Sequence, residues 1–417
     1  QDDVLYATNV SGAWVHTFLY EENTEFDFGH ALDMASALDE DGKIHIVHRR
    51  YNDYSTAHDS DLNLSTNEAG EWMRKRLIKG SLLVFSPAVI GEDDRIHIVF
   101  RRDGSERLVY GMLDGSDWNE ETLELITIKG SITDEAIALS NEGIPHVVYG
   151  TSSGENFEID KLRYAVRDSR GWNISTIADS AEYYTRPKIA FDSAGTLHIT
   201  YSVTYSELGS FEAEYGTKTS QWAFESIPDV GSAYSLAIDL DDRPVIGYRM
   251  QLEFTEETRL GRRLSPENWE EDVVLSTQGQ AGAADILIRN DGTVDLISAV
   301  GDDANLPDGR YFASNAGGPW ELEPLNISGP GAFTRDSGNR IHYALWATSG
   351  DPALDPVGIY YVTNFHGDWE RYLITIYTYD GDLNVISIHQ RSDGNLTLLH
   401  DYTGQALMAA TFEPGME

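Results

Sequence analysis

The sequence predicts an all-β chain folded as a β-propeller, with eight four-stranded blades and a composite closing blade; seven blades are the alternative. Three observations predict it. A strand–turn–strand unit recurs eight times, a second hairpin carrying one tryptophan recurs eight times, and the two alternate along the chain. Radial repetition of four-stranded sheets buries both faces of each sheet and protects its edges.

The first unit is clearest in "ASALDEDGKIHIVH", "PAVIGEDDRIHIVF", "EAIALSNEGIPHVVY", "KIAFDSAGTLHITY" and "SLAIDLDDRPVIGY". Weaker copies are "DILIRNDGTVDLIS", "AFTRDSGNRIHYAL" and "ISIHQRSDGNLTLLH". Alternation and β-branched residues mark both arms as strands, here named a and b. Asp, Asn and Gly between them supply the turn. The second unit, strands c and d, reads L-x-Y-A-T-x-x-G-x-W, as in "VLYATNVSGAWVHTFL" and "LRYAVRDSRGWNISTI". Its tryptophans are Trp14, Trp72, Trp118, Trp172, Trp222, Trp269, Trp320 and Trp369, spaced 46 to 58 residues apart.

The chain opens on a cd hairpin (4–20) and closes on an ab hairpin (385–400). One propeller domain over 1–417 is therefore expected, its closing blade formed by 1–23 with 383–417. Residues 4–9 and 406–412 compete for the third strand of that blade.

The chain has 417 residues, 41% hydrophobic, enough for a large core. No apolar run approaches the roughly 20 residues that span a bilayer. The expectation is a secreted, periplasmic or cell-surface chain without membrane insertion. Cysteine is absent, which excludes disulfides and thiolate chemistry. With 69 acidic against 30 basic residues the formal charge is −39, a field that repels nucleic acid. Asn9, Asn63, Asn173, Asn326 and Asn395 begin glycosylation sequons.

A repeat separates scaffold from function. His45, His97, His146, His198 and His342 share one column of strand b, so they read as packing residues rather than a metal cluster, as do the eight tryptophans. No metal site and no cofactor is expected. Calcium on the acidic a–b turns is the alternative to their role as hairpin residues, although none has EF-hand spacing.

The last column of strand b holds His48, Phe100, Tyr149, Tyr201, Tyr248, Ser298, Leu345 and His400. The next holds Arg49, Arg101 and Arg249 among others, with Arg50, Tyr51 and Arg102 beyond. These columns are not uniform, and the loops beside them gather on one face. His30 stands before strand a of the first blade. Tyr54, His58, Tyr184, Arg186, Tyr205, Tyr234, Tyr402 and the extra tryptophan Trp346 join the same face. Arg takes carboxylate or sulfate bidentately and aromatic rings stack on sugars, so the face suits an anionic glycan. The competing reading is that Arg49, Arg50, Arg101 and Arg102 pair with surplus Asp and Glu.

The repeat resembles the BNR-type propellers of secreted bacterial proteins. More narrowly, "FGHALDMASALDEDGKIHIVHRRYN" resembles one blade of ulvan-lyase-like propellers, the match falling on His30 and His48. That resemblance implies β-elimination across a uronic acid. Arg49 or Arg101 would neutralise the carboxylate. His48 or a nearby Tyr would take the α-proton, and His30 or Tyr51 would protonate the leaving oxygen. Three functions follow as expectations: a propeller binding a glycan or surface partner through Arg49, Arg50, Arg101, Arg102, Tyr149, Tyr201, Tyr248, Arg249, Trp346 and His400; a polysaccharide lyase; or a structural component of a surface assembly or filament.

Overall fold

The computed structural model describes the chain from Val4 to Phe412 apart from residues 10–14, 21–30, 39–42, 52–59, 69–70, 82, 91–94, 103–105, 127–130, 154–158, 181–182, 206–209, 228–230, 283–284, 304, 317, 326–328, 330, 337, 348–357, 365–368, 377–384, 391–395 and 403–405. The described residues are all-β, organised as propeller blades, and strands follow the predicted a–b–c–d order. Blade one is Ala31–Leu38, Ile44–Tyr51, Ser60–Glu68 and Glu71–Ser81; blade two is Leu83–Ile90, Ile96–Arg102, Arg107–Asp114 and Asp117–Leu125. Blade three is Ser131–Leu139, Pro145–Ser153, Ile159–Asp168 and Gly171–Ser180. Blade four is Tyr183–Phe191, Leu197–Tyr205, Ser210–Lys218 and Trp222–Ser226. Blade five is Gly231–Ile238, Pro244–Gln251, Glu256–Ser265 and Asn268–Thr277. In blade six strand a is broken into Gln280–Ala281 and Asp285–Ile288, followed by Val294–Gly301, Gly309–Ser314 and Glu321–Pro324. Blade seven is Gly331–Arg335, Ile341–Ala347, Gly358–Thr363 and Glu370–Ile376.

Seven blades are thus built from contiguous chain, where eight four-stranded blades, the closing one composite, were expected and seven were the alternative. The remaining sheet is different in kind. It has five strands, Val385–Gln390, Leu396–Tyr402, Ala406–Phe412, Val15–Tyr20 and Val4–Asn9. Ala406–Phe412 takes the place beside Leu396–Tyr402, and Val4–Asn9 pairs with it in parallel.

The chain forms two compact units. One holds residues 1–104, 111–120 and 328–417, and the other 105–110 and 121–327. Within the second, strands a of blades three, four, five and six adjoin in succession. Each unit draws its core from the same columns. In the second, Tyr164 of blade three packs edge-on against Trp222 of blade four at 5.1 Å, and Tyr215 of blade four against Trp269 of blade five at 5.3 Å. The tryptophan column is inter-blade packing, and aromatic pairs of this geometry add roughly 1 kcal/mol beyond their burial.

The histidine column completes the lock. His146 Nδ1 meets Tyr164 Oη at 2.6 Å, His198 Nδ1 meets Tyr215 Oη at 2.5 Å, and His342 Nδ1 meets Tyr361 Oη at 2.6 Å. The a–b turns are built around one carboxylate. Asp336 Oδ1 accepts the N–H of Gly338 (2.8 Å) and of Arg340 (2.9 Å), while Oδ2 stands 3.5 Å from His342 Nε2. Asp192 does the same for Thr196 N–H (2.6 Å) and His198 Nε2 (3.3 Å). The acidic turns therefore spend their first carboxylate on the turn and the adjacent histidine. No group of three or more His, Asp and Glu able to hold a metal occurs among the described residues. Of the sequons, Asn63 is buried and Asn173 exposed; Asn326 and Asn395 lie outside the described residues.

Candidate functional site

The predicted binding column lies inside the scaffold. His48 is 3% exposed, Tyr149 and Tyr248 0% and Tyr201 4%. The reason is strand length. Strand b runs past this column, to Tyr51, Ser153, Tyr205 and Gln251 in blades one, three, four and five. A residue in mid-strand of a sheet covered on both faces has nowhere to point but into a neighbour. Tyr149 Oη donates to Glu124 at 2.6 Å, and Glu124 also takes a bidentate fork from Arg163 at 3.1 and 3.2 Å. His48 Nε2 shares a hydrogen bond with Ser65 Oγ at 3.1 Å. Burial first, and then the nearby Arg74 charge, drive its pKa down to about 3. A ring so enclosed and so weakly basic is a poor proton acceptor for a bound substrate.

The arginines beyond the column divide. Arg102 forks onto Glu120 at 2.9 and 3.3 Å, and Arg249 is ion-paired with Glu256. Arg101 is half-buried and engaged. For Arg102 the salt-bridge reading holds, and Arg249, outside that reading, is paired in the same way. Arg49, Arg50, Tyr51, Trp346 and His400 are placed by backbone within strand b of their sheets, while His30, Tyr54 and His58 lie outside the described residues.

A different row of residues is exposed. Strand a carries a register slip in blade after blade, between Ile132 and Glu135, between Thr185 and Lys188, and between Ala233 and Ser235. A β-bulge of this kind re-aims a side chain out of the ladder. The bulges of blades three, four and five interlock. Arg186 donates its backbone N–H to Asp134 Oδ2 at 2.9 Å, and its guanidinium lies 4.7 Å from the centroid of the Tyr234 ring. Thr133 Oγ1 donates to the carbonyl of Tyr184 at 3.0 Å. Gly150 makes that approach possible, since a Cβ there would stand 2.2 Å from Thr133 Oγ1.

Arg186 is unusual in two ways. Its φ is +53°, left-handed backbone, in the middle of a strand and before Pro187. The other non-glycine residues with positive φ, Asp242, Glu267, Asp302 and Asn339, lie outside the strands. Strained backbone of this sort costs on the order of 1–3 kcal/mol and clusters at binding sites. Second, Arg186 is exposed and its guanidinium joins no ion pair among the described residues. Arg163, Arg167, Arg259 and Arg263 in the same unit are all paired with Glu. In a chain with 69 acids, a guanidinium without an ion pair among the described residues is an exception that needs a reason. Stacking on Tyr234 fixes the guanidinium plane and leaves its N–H edges open. Tyr183 beside it is 40% exposed. Sequence reading placed Arg186 and Tyr234 on the same face as the other candidates, but the slip that re-aims them depends on pairing.

No family model and no curated protein matches the chain. Among solved structures, it is similar to the β-propeller domain of the Trilobed protease from Pyrococcus furiosus, at 11% identity and TM-score 0.48, covering 85% of this chain and 98% of that one. A protein of unknown function from Dyadobacter fermentans DSM 18053 aligns at 13% identity and TM-score 0.43, covering 78% and 98%. The GH93 α-L-arabinofuranosidase of Fusarium graminearum, solved with arabinobiose, aligns at 11% identity and TM-score 0.41, covering 67% and 92%.

Proposed function

We propose that the chain is a secreted or surface-exposed glycan-binding propeller, and that it takes an anionic saccharide on the bulge row of blades three to five. The observation that carries this reading is the guanidinium of Arg186, held over Tyr234 on strained backbone and joined to no ion pair among the described residues. A planar fork held in place loses little entropy when it meets a carboxylate or sulfate, and the surrounding Tyr residues offer ring faces to the sugar. The lyase alternative has no comparable support, since His48 is enclosed and nearly non-basic.

The test is calorimetric titration of the full chain with hexuronate and sulfated oligosaccharides. Wild type is expected to saturate. Arg186→Ala weakens binding about 10- to 100-fold, the scale of a lost charged hydrogen-bond pair, and Arg186→Lys falls between, lacking the fork. Arg186→Gly relieves the positive φ while removing the guanidinium, so its Tm is unchanged or higher although binding is lost. Equal affinity in wild type and Arg186→Ala, or no binding by any oligosaccharide of the set, refutes the reading.

On architecture, we propose that the five-stranded terminal sheet serves as an eighth blade. Its Val385–Gln390 strand adjoins both Gly331–Arg335 of blade seven and Ala31–Leu38 of blade one, where a blade between them would sit. A chain lacking residues 1–23 is then expected to lose cooperative unfolding; retention of the wild-type Tm would favour a seven-bladed ring with an irregular hairpin.

A further inference from the structure

Blades five and six break the repeat at the a–b turn end of their sheets. Three blades there pair a strand-b histidine with a strand-c tyrosine: His146 with Tyr164, His198 with Tyr215 and His342 with Tyr361. In blade five the pair becomes Val245 and Leu260, and in blade six Asp295 and Phe312. The turn carboxylate Asp239, left without its histidine, is neutralised by Arg243 (2.9 Å) and Arg262 (3.4 Å). Beside the a–b turns of these two blades lies a cavity of about 410 Å³, within the usual range for a small-ligand site.

The chemistry of its wall names the ligand. Asp239 is saturated: Oδ1 accepts the N–H groups of Asp241 and Arg243, each at 2.9 Å, and Oδ2 faces the two arginines. Arg243 also pairs with Asp241 at 2.7 Å. The two guanidinium groups of Arg243 and Arg262 are thus taken up by Asp239, Asp241 and Glu270, and of the wall's three carboxylates only Asp291 is left without a cation in the wall. What remains to a ligand is a set of short-range donors and acceptors. Asn315 spends Oδ1 on Val294 N–H (2.8 Å), leaving its amide N–H groups, and Asp241 and Asp291 present outer carboxylate edges. Leu240, 62% exposed, adds an apolar contact. Donors and acceptors side by side, beside one apolar surface and with both guanidinium groups already paired, match the vicinal hydroxyls and C–H face of a neutral sugar better than an anion.

We propose that this cavity binds a neutral mono- or disaccharide, as a second saccharide site separate from the bulge row around Arg186. The experiment is saturation-transfer NMR and titration of the full chain with a set of neutral mono- and disaccharides, then with calcium. Saturable sugar binding is expected, weakened about tenfold or more by Asp241→Ala and by Asp291→Asn, and unchanged in Arg186→Ala. Both wall variants replace exposed side chains, so an unchanged Tm confirms that they fold. The proposal is overturned if no neutral sugar saturates, if binding survives both wall variants, or if calcium binds there and excludes the sugar.

Discussion

Lowering the pH from 7.5 to 5 in high salt is expected to destabilise the folded chain by several kcal/mol. Burial holds His48 at about 3 and His146 and His342 at about 4, and it lowers His198 as well, against the opposing pull of Asp192. The unfolded chain titrates its histidines near 6.5, so below that pH it binds more protons than the folded chain. The stabilisation is complete above 6.5 and is lost progressively as the pH falls toward the folded values. For His48 and His342, both essentially enclosed, the loss at pH 5 is on the order of 2 kcal/mol each. An opposite effect exists, because 69 acids against 30 bases repel one another and acid relieves that repulsion. Most carboxylates titrate near pH 4, however, and salt screens the field, so the interval from 6.5 to 5 belongs to the histidines. Urea midpoints measured at pH 7.5, 6.5, 5.5 and 5 in 0.5 M salt check this. A midpoint that stays level or rises across the interval contradicts the histidine lock.

Asp295→Ala is expected to cost about 3–5 kcal/mol, the scale on which removing one partner strands a buried charge. Asp295 is fully buried and takes a bidentate fork from Arg289 at 2.7 and 2.8 Å. The pair is the sibling blades' arrangement with the acid moved to the other position. Asp192 and His198, and Asp336 and His342, stand six residues apart with the acid first; Arg289 and Asp295 keep that spacing with the acid last. The double variant Arg289→Asp, Asp295→His should therefore recover more than half of the loss. Recovery stays incomplete because Phe312 stands where Tyr215 and Tyr361 supply a hydroxyl to the histidine. Chemical denaturation of the single and double variants decides it. A double variant no more stable than Asp295→Ala rejects the exchange.

The repeat was legible because it writes the same side chains into each blade. Trp222 and Trp269, His146 and His198 declare themselves scaffold by recurring, and the structure places them between or within blades as read. Strand ends were less legible. "HIVHRRY" looks like a strand that stops at His48, yet Arg49, Arg50 and Tyr51 continue the ladder, and His48 itself becomes core. The bulges left still less trace. Nothing in "YYTRPKIAF" beyond the proline hints that Arg186 slips out of register, since the slip is defined against strand b rather than within strand a. The pair Arg289 and Asp295 lies in the weaker copy "DILIRNDGTVDLIS", and only contact shows that each compensates the other.

The most direct measurement is where an anionic trisaccharide sits in a crystal of the complex. The account places a carboxylate or sulfate within about 3 Å of the Arg186 guanidinium, with a sugar ring against Tyr183 or Tyr234, and leaves the ion pairs of Arg102 with Glu120 and Arg249 with Glu256 intact. A saccharide seated on Arg102 or Arg249, with Arg186 bare, would contradict it.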